Sequence, residues 1–342
     1  KGKGSISKSK SKGGPRNRCS RRVYKPPSGC LFTCAKTIDT TAINNINTQL
    51  NSANPIYTGT ICAGQYSLPT TTVNVINQNT NAKASLTLSC CGPSGSCIID
   101  GTAAGTLNNP LFYFQTPAIV SLEGFTFQNI KGTSGFNGAL INTKVAADVK
   151  LNFLTVQAVS VSGTTDNGGA IYFNSGTIAN IKNSIFTSNS AGQFGGAIAF
   201  QNSRVYLTNN AFRSNSATGT GGAVAASQSS IIATCNLFKS NTAGTYGGAV
   251  NVASSSMNSL QNIYDTNTAT KNNGGAIALL TSTLTVNEDI FATNTAPATG
   301  IGLNVALSTS CTMFYCNAVT VNFPNGVLVD STSLSLLKCI PT

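Results

Sequence analysis

Histidine and tryptophan are absent from this 342-residue sequence, methionine occurs twice, and charged residues make up only 9% of it. The lack of histidine removes the side chain best suited to proton transfer near neutral pH and the commonest metal ligand. No Cys-x-x-Cys pair occurs, so a structural zinc site has no spacing to build on. No apolar run approaches the roughly 18 residues that a membrane-spanning helix requires. No glycine-rich loop leads from a strand into a helix, which argues against nucleotide binding. N-x-[Ser/Thr] acceptors are missing too. About forty asparagines stand among serines and threonines that form about a quarter of the chain, so chance would give roughly ten. Such avoidance suits a crowded surface made on a eukaryotic secretory route.

The net charge is +12, but it is concentrated at one end. Lys1, Lys3, Lys8, Lys10, Lys12, Arg16, Arg18, Arg21, Arg22 and Lys25 hold ten of the 21 basic residues, and the rest of the chain carries eleven basic and nine acidic side chains. The basic character therefore belongs to an arm rather than to the whole surface. Its Lys/Ser alternation suits an anionic polysaccharide or another polyanion. Eleven cysteines point to disulfides in an oxidising compartment. Cys19, Cys30, Cys34, Cys62, Cys90, Cys91, Cys97, Cys311, Cys316 and Cys339 cluster toward the two ends and are expected to staple them. Cys235 stands alone among the repeats and, the total being odd, is expected to be an unpaired buried thiol. The chain begins at Lys1 without a leader, as expected of a processed, exported product.

What the sequence has in abundance is period. Gly168-Gly169, Gly195-Gly196, Gly221-Gly222, Gly247-Gly248 and Gly274-Gly275 recur every 26 or 27 residues. In phase with them run Phe186, Phe212, Phe238, Tyr264 and Phe291, each followed three residues later by Asn189, Asn215, Asn241, Asn267 and Asn294. Between these markers lie short alternating runs, with the columns Ala179, Val205, Ile231, Met257, Leu284 and Ile181, Leu207, Ala233, Val286. Alternation over four to six residues is strand, and three such strands with turns fill one repeat. The fold expected is all-β: a right-handed parallel β-helix of about ten rungs with disulfide-stapled ends. Rings one rung apart then stack, and asparagine amides bond along the axis. Asn183, Asn209, Asn236 and Asn262 are expected at left-handed bends, and the glycine pairs where a side chain would clash. The organisation expected is a basic arm over 1–29 and a Cys-containing cap over 30–64. A β-helix over 65–335 and a tail over 336–342 follow. In the cap, Asp39 would start a short helix whose Ile43, Ile46 and Leu50 cover the open end of the first rung.

The Gly-Gly-Ala-[Ile/Val] and Phe-x-x-Asn motifs resemble the repeats of chlamydial-type polymorphic outer membrane proteins, within the pectin-lyase-like superfamily. Five copies of each cover 168–294, with weaker similarity over about 65–317. The resemblance implies the β-helical fold and an adhesive role. It departs from that family in the Cys-rich ends, the Lys/Ser arm and the lack of room for a membrane barrel after Asn317.

Enzymes on such folds use convergent carboxylates, often with calcium. Here the acidic residues are Asp39, Asp100, Glu123, Asp148, Asp166, Asp265, Glu288, Asp289 and Asp330. Only Glu288 and Asp289 adjoin one another within the regular repeats. Asp265 falls in the column Thr187, Arg213, Lys239, Asp265, Ala292, where a surface ion pair with Lys239 is expected. No catalytic, cofactor or metal site is expected. The function expected is that of a secreted structural protein whose rods self-associate into a filament, sheath or matrix through the arm. A surface adhesin or glycan-binding module is the second reading, and a polysaccharide lyase or hydrolase the third.

Overall fold

Each alternating run forms a strand in a computed structural model of the protein, and each pairs in parallel with the run one repeat away. The structure describes residues 19, 22–27, 40–69, 75–77 and 83–297, with backbone alone for 303–306, 310–314, 328–329 and 334–335. Among the expected features, Cys30, Cys34, Cys316, Cys339, Asp39, Asp330 and the arm residues Lys1, Lys3, Lys8, Lys10, Lys12, Arg16, Arg18 and Arg21 lie outside the described residues. So does the side chain of Cys311.

One rung shows the pattern. Ile178–Lys182 lies on a long face, Ile185–Thr187 on an aromatic face, Ser190–Ala191 on a short face and Ile198–Gln201 on a fourth face. A repeat thus holds four strands where three were expected, because a two-residue strand leaves no alternation to read. The faces contain eleven, nine, seven and ten strands respectively, giving about eight turns; the count of ten holds only for the longer faces. At about 4.8 Å per step the eleven-stranded face makes a rod about 50 Å long.

Register follows the columns read from sequence. Ala179, Val205, Ile231, Met257 and Leu284 pair in succession, as do Ile181, Leu207, Ala233, Ser259 and Val286, all inward and buried. Phe186, Phe212, Phe238, Tyr264 and Phe291 stack with centroids 4.9–5.0 Å apart and planes within 9° of parallel. From Asn189 to Asn294 each side-chain amide donates to the next Oδ1 at 2.8–3.0 Å. It also donates to a ladder carbonyl, as Asn215 does to Phe186 O at 3.0 Å. From Asn189 to Asn267 the buried amides of this ladder are therefore matched along the axis.

The corners show one register correction. Asn183 and Asn209 are left-handed, with φ of 51° and 58°, but the next residues of that column are Cys235, Gln261 and Glu288, at φ 57°, 55° and 55°. Asn236 and Asn262 stand one position further on, buried in a second amide ladder: Asn210 Nδ2 donates to Asn236 Oδ1 at 3.1 Å and Asn236 Nδ2 to Asn262 Oδ1 at 2.9 Å. The glycine pair divides two tasks. Gly195 has φ +63°, whereas a Cβ on Gly196 would lie 2.2 Å from Gly222 O in the neighbouring rung.

The helix α1, Thr40–Leu50, covers the first rungs with Ile43, Ile46 and Leu50 buried. The strand Ile56–Cys62 already belongs to the long face. An apolar space of about 50 Å³ remains beneath the helix, between residues that include Ile43, Leu88, Phe112 and Phe127.

Candidate functional site

Three arrangements bear on function: the carboxylates, a strap formed by the basic arm, and a groove on the fourth face. All seven described carboxylates are engaged. Asp100 accepts hydrogen bonds from Gln65, Gln128, Asn129 and both the hydroxyl and backbone N–H of Thr102. Burial alone would raise its pKa, but these bonds outweigh burial and hold it well below the usual carboxylate range. Asp166 accepts the backbone N–H groups of Gly135 and Gly163, shaping a turn. Asp148 pairs with Lys83 at 2.5 Å, and Asp265 pairs with Lys239 at 2.7 Å. Glu123, the last residue of its strand, accepts from Asn152, and Glu288, at the left-handed corner, accepts from Gln261.

Asp289 belongs to a buried group of its own. It occupies the next position in the ladder Asn210, Asn236, Asn262, and its Oδ1 accepts the Asn262 N–H at 2.7 Å. Its Oδ2 contacts Ser259 Oγ, which in turn meets the Tyr264 hydroxyl at 3.0 Å within the ring stack. Burial pushes the Asp289 pKa up to about 7, partly offset by the bonds from Ser259 and Asn262. Burial also raises Tyr264, and the neighbouring Asp289 adds to it. Glu288 and Asp289 are adjacent in sequence, but one lies on the corner and the other points into the core. Among the described residues no three or more Cys, Asp or Glu side chains are grouped to hold a metal ion.

The arm is fastened to the rod. Cys235 is disulfide-bonded to Cys19, 216 residues away, which corrects the expectation of an unpaired thiol. The odd total misled that reading; the useful signal was that Cys235 follows Asn183 and Asn209 in an outward corner column. Further along, Tyr24 is buried, with its hydroxyl donating to Cys90 O at 2.7 Å and its ring 5.4 Å from Phe153. Gly124 makes room for it: a Cβ there would come within 2.7 Å of the Tyr24 ring. The corner column runs Gly124, Phe153, Asn183, Asn209, Cys235, so the notch that holds Tyr24 and the bond that holds Cys19 lie four rung steps apart on the same flank. Arg22 and Lys25 are exposed on this strap. Cys90 bonds to Cys97, and Cys62 and Cys91 are also disulfide-bonded. Disulfides thus secure the first rungs, as expected, and also tie the arm to the middle of the rod, which was not expected.

The groove measures about 320 Å³. Ala199 and Ala225 form its floor, Phe194 and Thr220 one wall, and Tyr172, Gln201 and Asn251 stand at its ends and opposite side. Asn167 also borders it, and the Asn167 Oδ1 atom is buried without a hydrogen-bond partner. An aromatic surface beside amide groups can stack on a sugar ring and bond its hydroxyls. The sequence showed the outward alanines only as gaps in the apolar pattern.

No family model, curated protein or solved structure gives a significant match to the chain. No helix among the described residues is long and apolar enough to cross a membrane.

Proposed function

We propose that this chain is a secreted structural protein, a β-solenoid rod that self-associates into a filament, sheath or matrix. The observation that carries this reading is the strap. A covalent link across 216 residues and a tyrosine seated in a glycine notch clamp successive rungs from outside, while aromatic and amide ladders join them from inside. The described carboxylates, which acid–base chemistry would need, are bound into ladders, turns and ion pairs. Upstream of Cys19 the chain carries seven basic residues, tethered to the rod through the Cys19–Cys235 bond and available to a second rod or an anionic polysaccharide. Electron microscopy of the purified protein at physiological salt tests the reading. Associated rods or filaments are expected, and single rods at every concentration would remove it.

The groove favours a second reading, an adhesin or glycan-binding module, and the resemblance to adhesin repeats points the same way. On that reading neutral oligosaccharides bind with measurable heat in titration calorimetry, and Tyr172→Ala with Phe194→Ala abolishes it. Identical heats for the variant and the parent protein would exclude the groove.

A further inference from the structure

The aromatic face presents two outward columns side by side. In one, Ile185, Ala211, Leu237, Ile263 and Ile290 succeed one another rung by rung; Ala211 is buried among its neighbours, Ile185 and Leu237 are half-buried, and the last two are 40% and 42% exposed. In the other stand Thr187, Arg213, Lys239, Asp265 and Ala292, two residues further along each strand. The first column is an apolar stripe about 20 Å long, walled on its far side by the corner to which the strap is fastened at Cys235. An ordered apolar stripe beside a charged column is a contact surface rather than scattered exposure.

We infer that a second copy of this chain covers the stripe, with the two rods antiparallel about a two-fold axis along the strand direction, between the rungs of Lys239 and Asp265. This contact rests on the reading of the chain as a self-associating rod and gives that reading its surface. Such an axis lays stripe on stripe: Leu237 meets Ile263 of the second copy, whose Ile290 lies over the rung of the buried Ala211. It also lays the charged column on its own inverse. Lys239 of each copy faces Asp265 of the other, closing a ring of two cations and two carboxylates in which each charge has opposite neighbours. With parallel rods, the charged column of one copy would instead face the other's strapped corner. The contact is isologous, hence closed at two copies. It is also smaller than the roughly 800 Å² per partner of a standard interface, so pairing is weak and concentration-dependent.

The test is sedimentation equilibrium of the full chain, from micromolar to about 1 mM. The mean mass is expected to rise to at least twice that of one chain, and to level at twice in 1 M salt, where the arm is screened. Ile263→Lys with Ile290→Lys, both at exposed positions, should hold the mass at one chain with an unchanged melting midpoint. Lys239→Asp alone should weaken pairing at least tenfold, and adding Asp265→Lys should restore it, because the inverted pair recreates the ring. Pairing that survives the isoleucine substitutions overturns the stripe while leaving self-association standing. An unchanged single-chain mass for the parent protein up to the highest concentration overturns both. If the double charge reversal fails to restore pairing, the antiparallel register is wrong.

Discussion

A phenol inside a stack of phenylalanines must find a partner for its hydroxyl, and Tyr264 finds Ser259 in a column that is otherwise apolar. Ser259 in turn serves Asp289, which stands where the ladder has asparagine. Three departures from the repeat in one region thus form one buried network. The regular part of the stack gives the simplest prediction. Phe238 is fully buried between rings 4.9 Å away on either side, so Phe238→Ala should cost about 3–5 kcal/mol of stability, measured by denaturant unfolding. The Asp289 network gives a pH dependence. An amide donates at this ladder position, and a carboxyl reproduces the donor only while it keeps its proton. Its folded pKa is about 7 against an ordinary 3.8. Below pH 4 both folded and unfolded chains are protonated and the group contributes no pH dependence. Between pH 4 and 7 the unfolded chain releases a proton that the folded chain retains, so stability falls as pH rises, and above 7 it levels off. Asp289→Asn should abolish this decline and leave the variant a few kcal/mol more stable than the parent at pH 8. Equal slopes for the two proteins between pH 4 and 7 would show that Asp289 ionises freely in the core.

At the level of elements, the strap departs most from what the sequence conveyed. Cysteines stapling only the ends would let reduction loosen the ends before the middle. With Cys19 bonded to Cys235, it should instead expose the flank from Gly124 to Cys235, since the strap lies along that corner. In the chain-entropy account a closure of 216 residues contributes up to about 5 kcal/mol, and Cys235→Ser should lose much of it. Hydrogen exchange provides the measurement. Loss of protection confined to the first rungs, with rungs near Cys235 unchanged, would show that the strap adds nothing there. The rungs were legible because ladder residues repeat at fixed period, which identifies inward columns and their register without any other information. The strap was not, because nothing periodic marks a segment that crosses rungs only once. Tyr24 carries no sign of its notch, and Gly124 reads as one turn glycine among many. The short face escaped for a different reason, since two residues cannot alternate. The buried amides Asn236 and Asn262 were read one position out of place because the column beside them changes from Asn209 to Cys235, and only the parallel register reveals the substitution.

For the whole molecule, the arm divides into parts with different tasks, and two truncations separate them. Removing residues 1–18 takes away seven basic residues and leaves Cys19, Tyr24 and the strap intact. Removing residues 1–27 also frees Cys235 and empties the notch at Gly124. The first truncation should therefore melt with the full chain, and the second should melt well below it, because a buried tyrosine and a long-range disulfide are lost together. Assembly should divide along a different line. The apolar stripe survives both truncations and is little affected by salt, since burial of apolar surface is not a screened interaction. The arm acts through charge, and at 1 M salt the screening length falls to about 3 Å. If the stripe forms pairs and the arm joins pairs into larger assemblies, the full chain should form filaments at physiological salt and return to pairs as salt rises toward 1 M. The chain lacking residues 1–18 should pair at both salt concentrations and form no filaments at either. Filaments of this truncated chain indistinguishable from those of the full protein would sink the role of the arm. The basic segment would then be left as a tail for polyanions, with the stripe and other rod faces responsible for assembly.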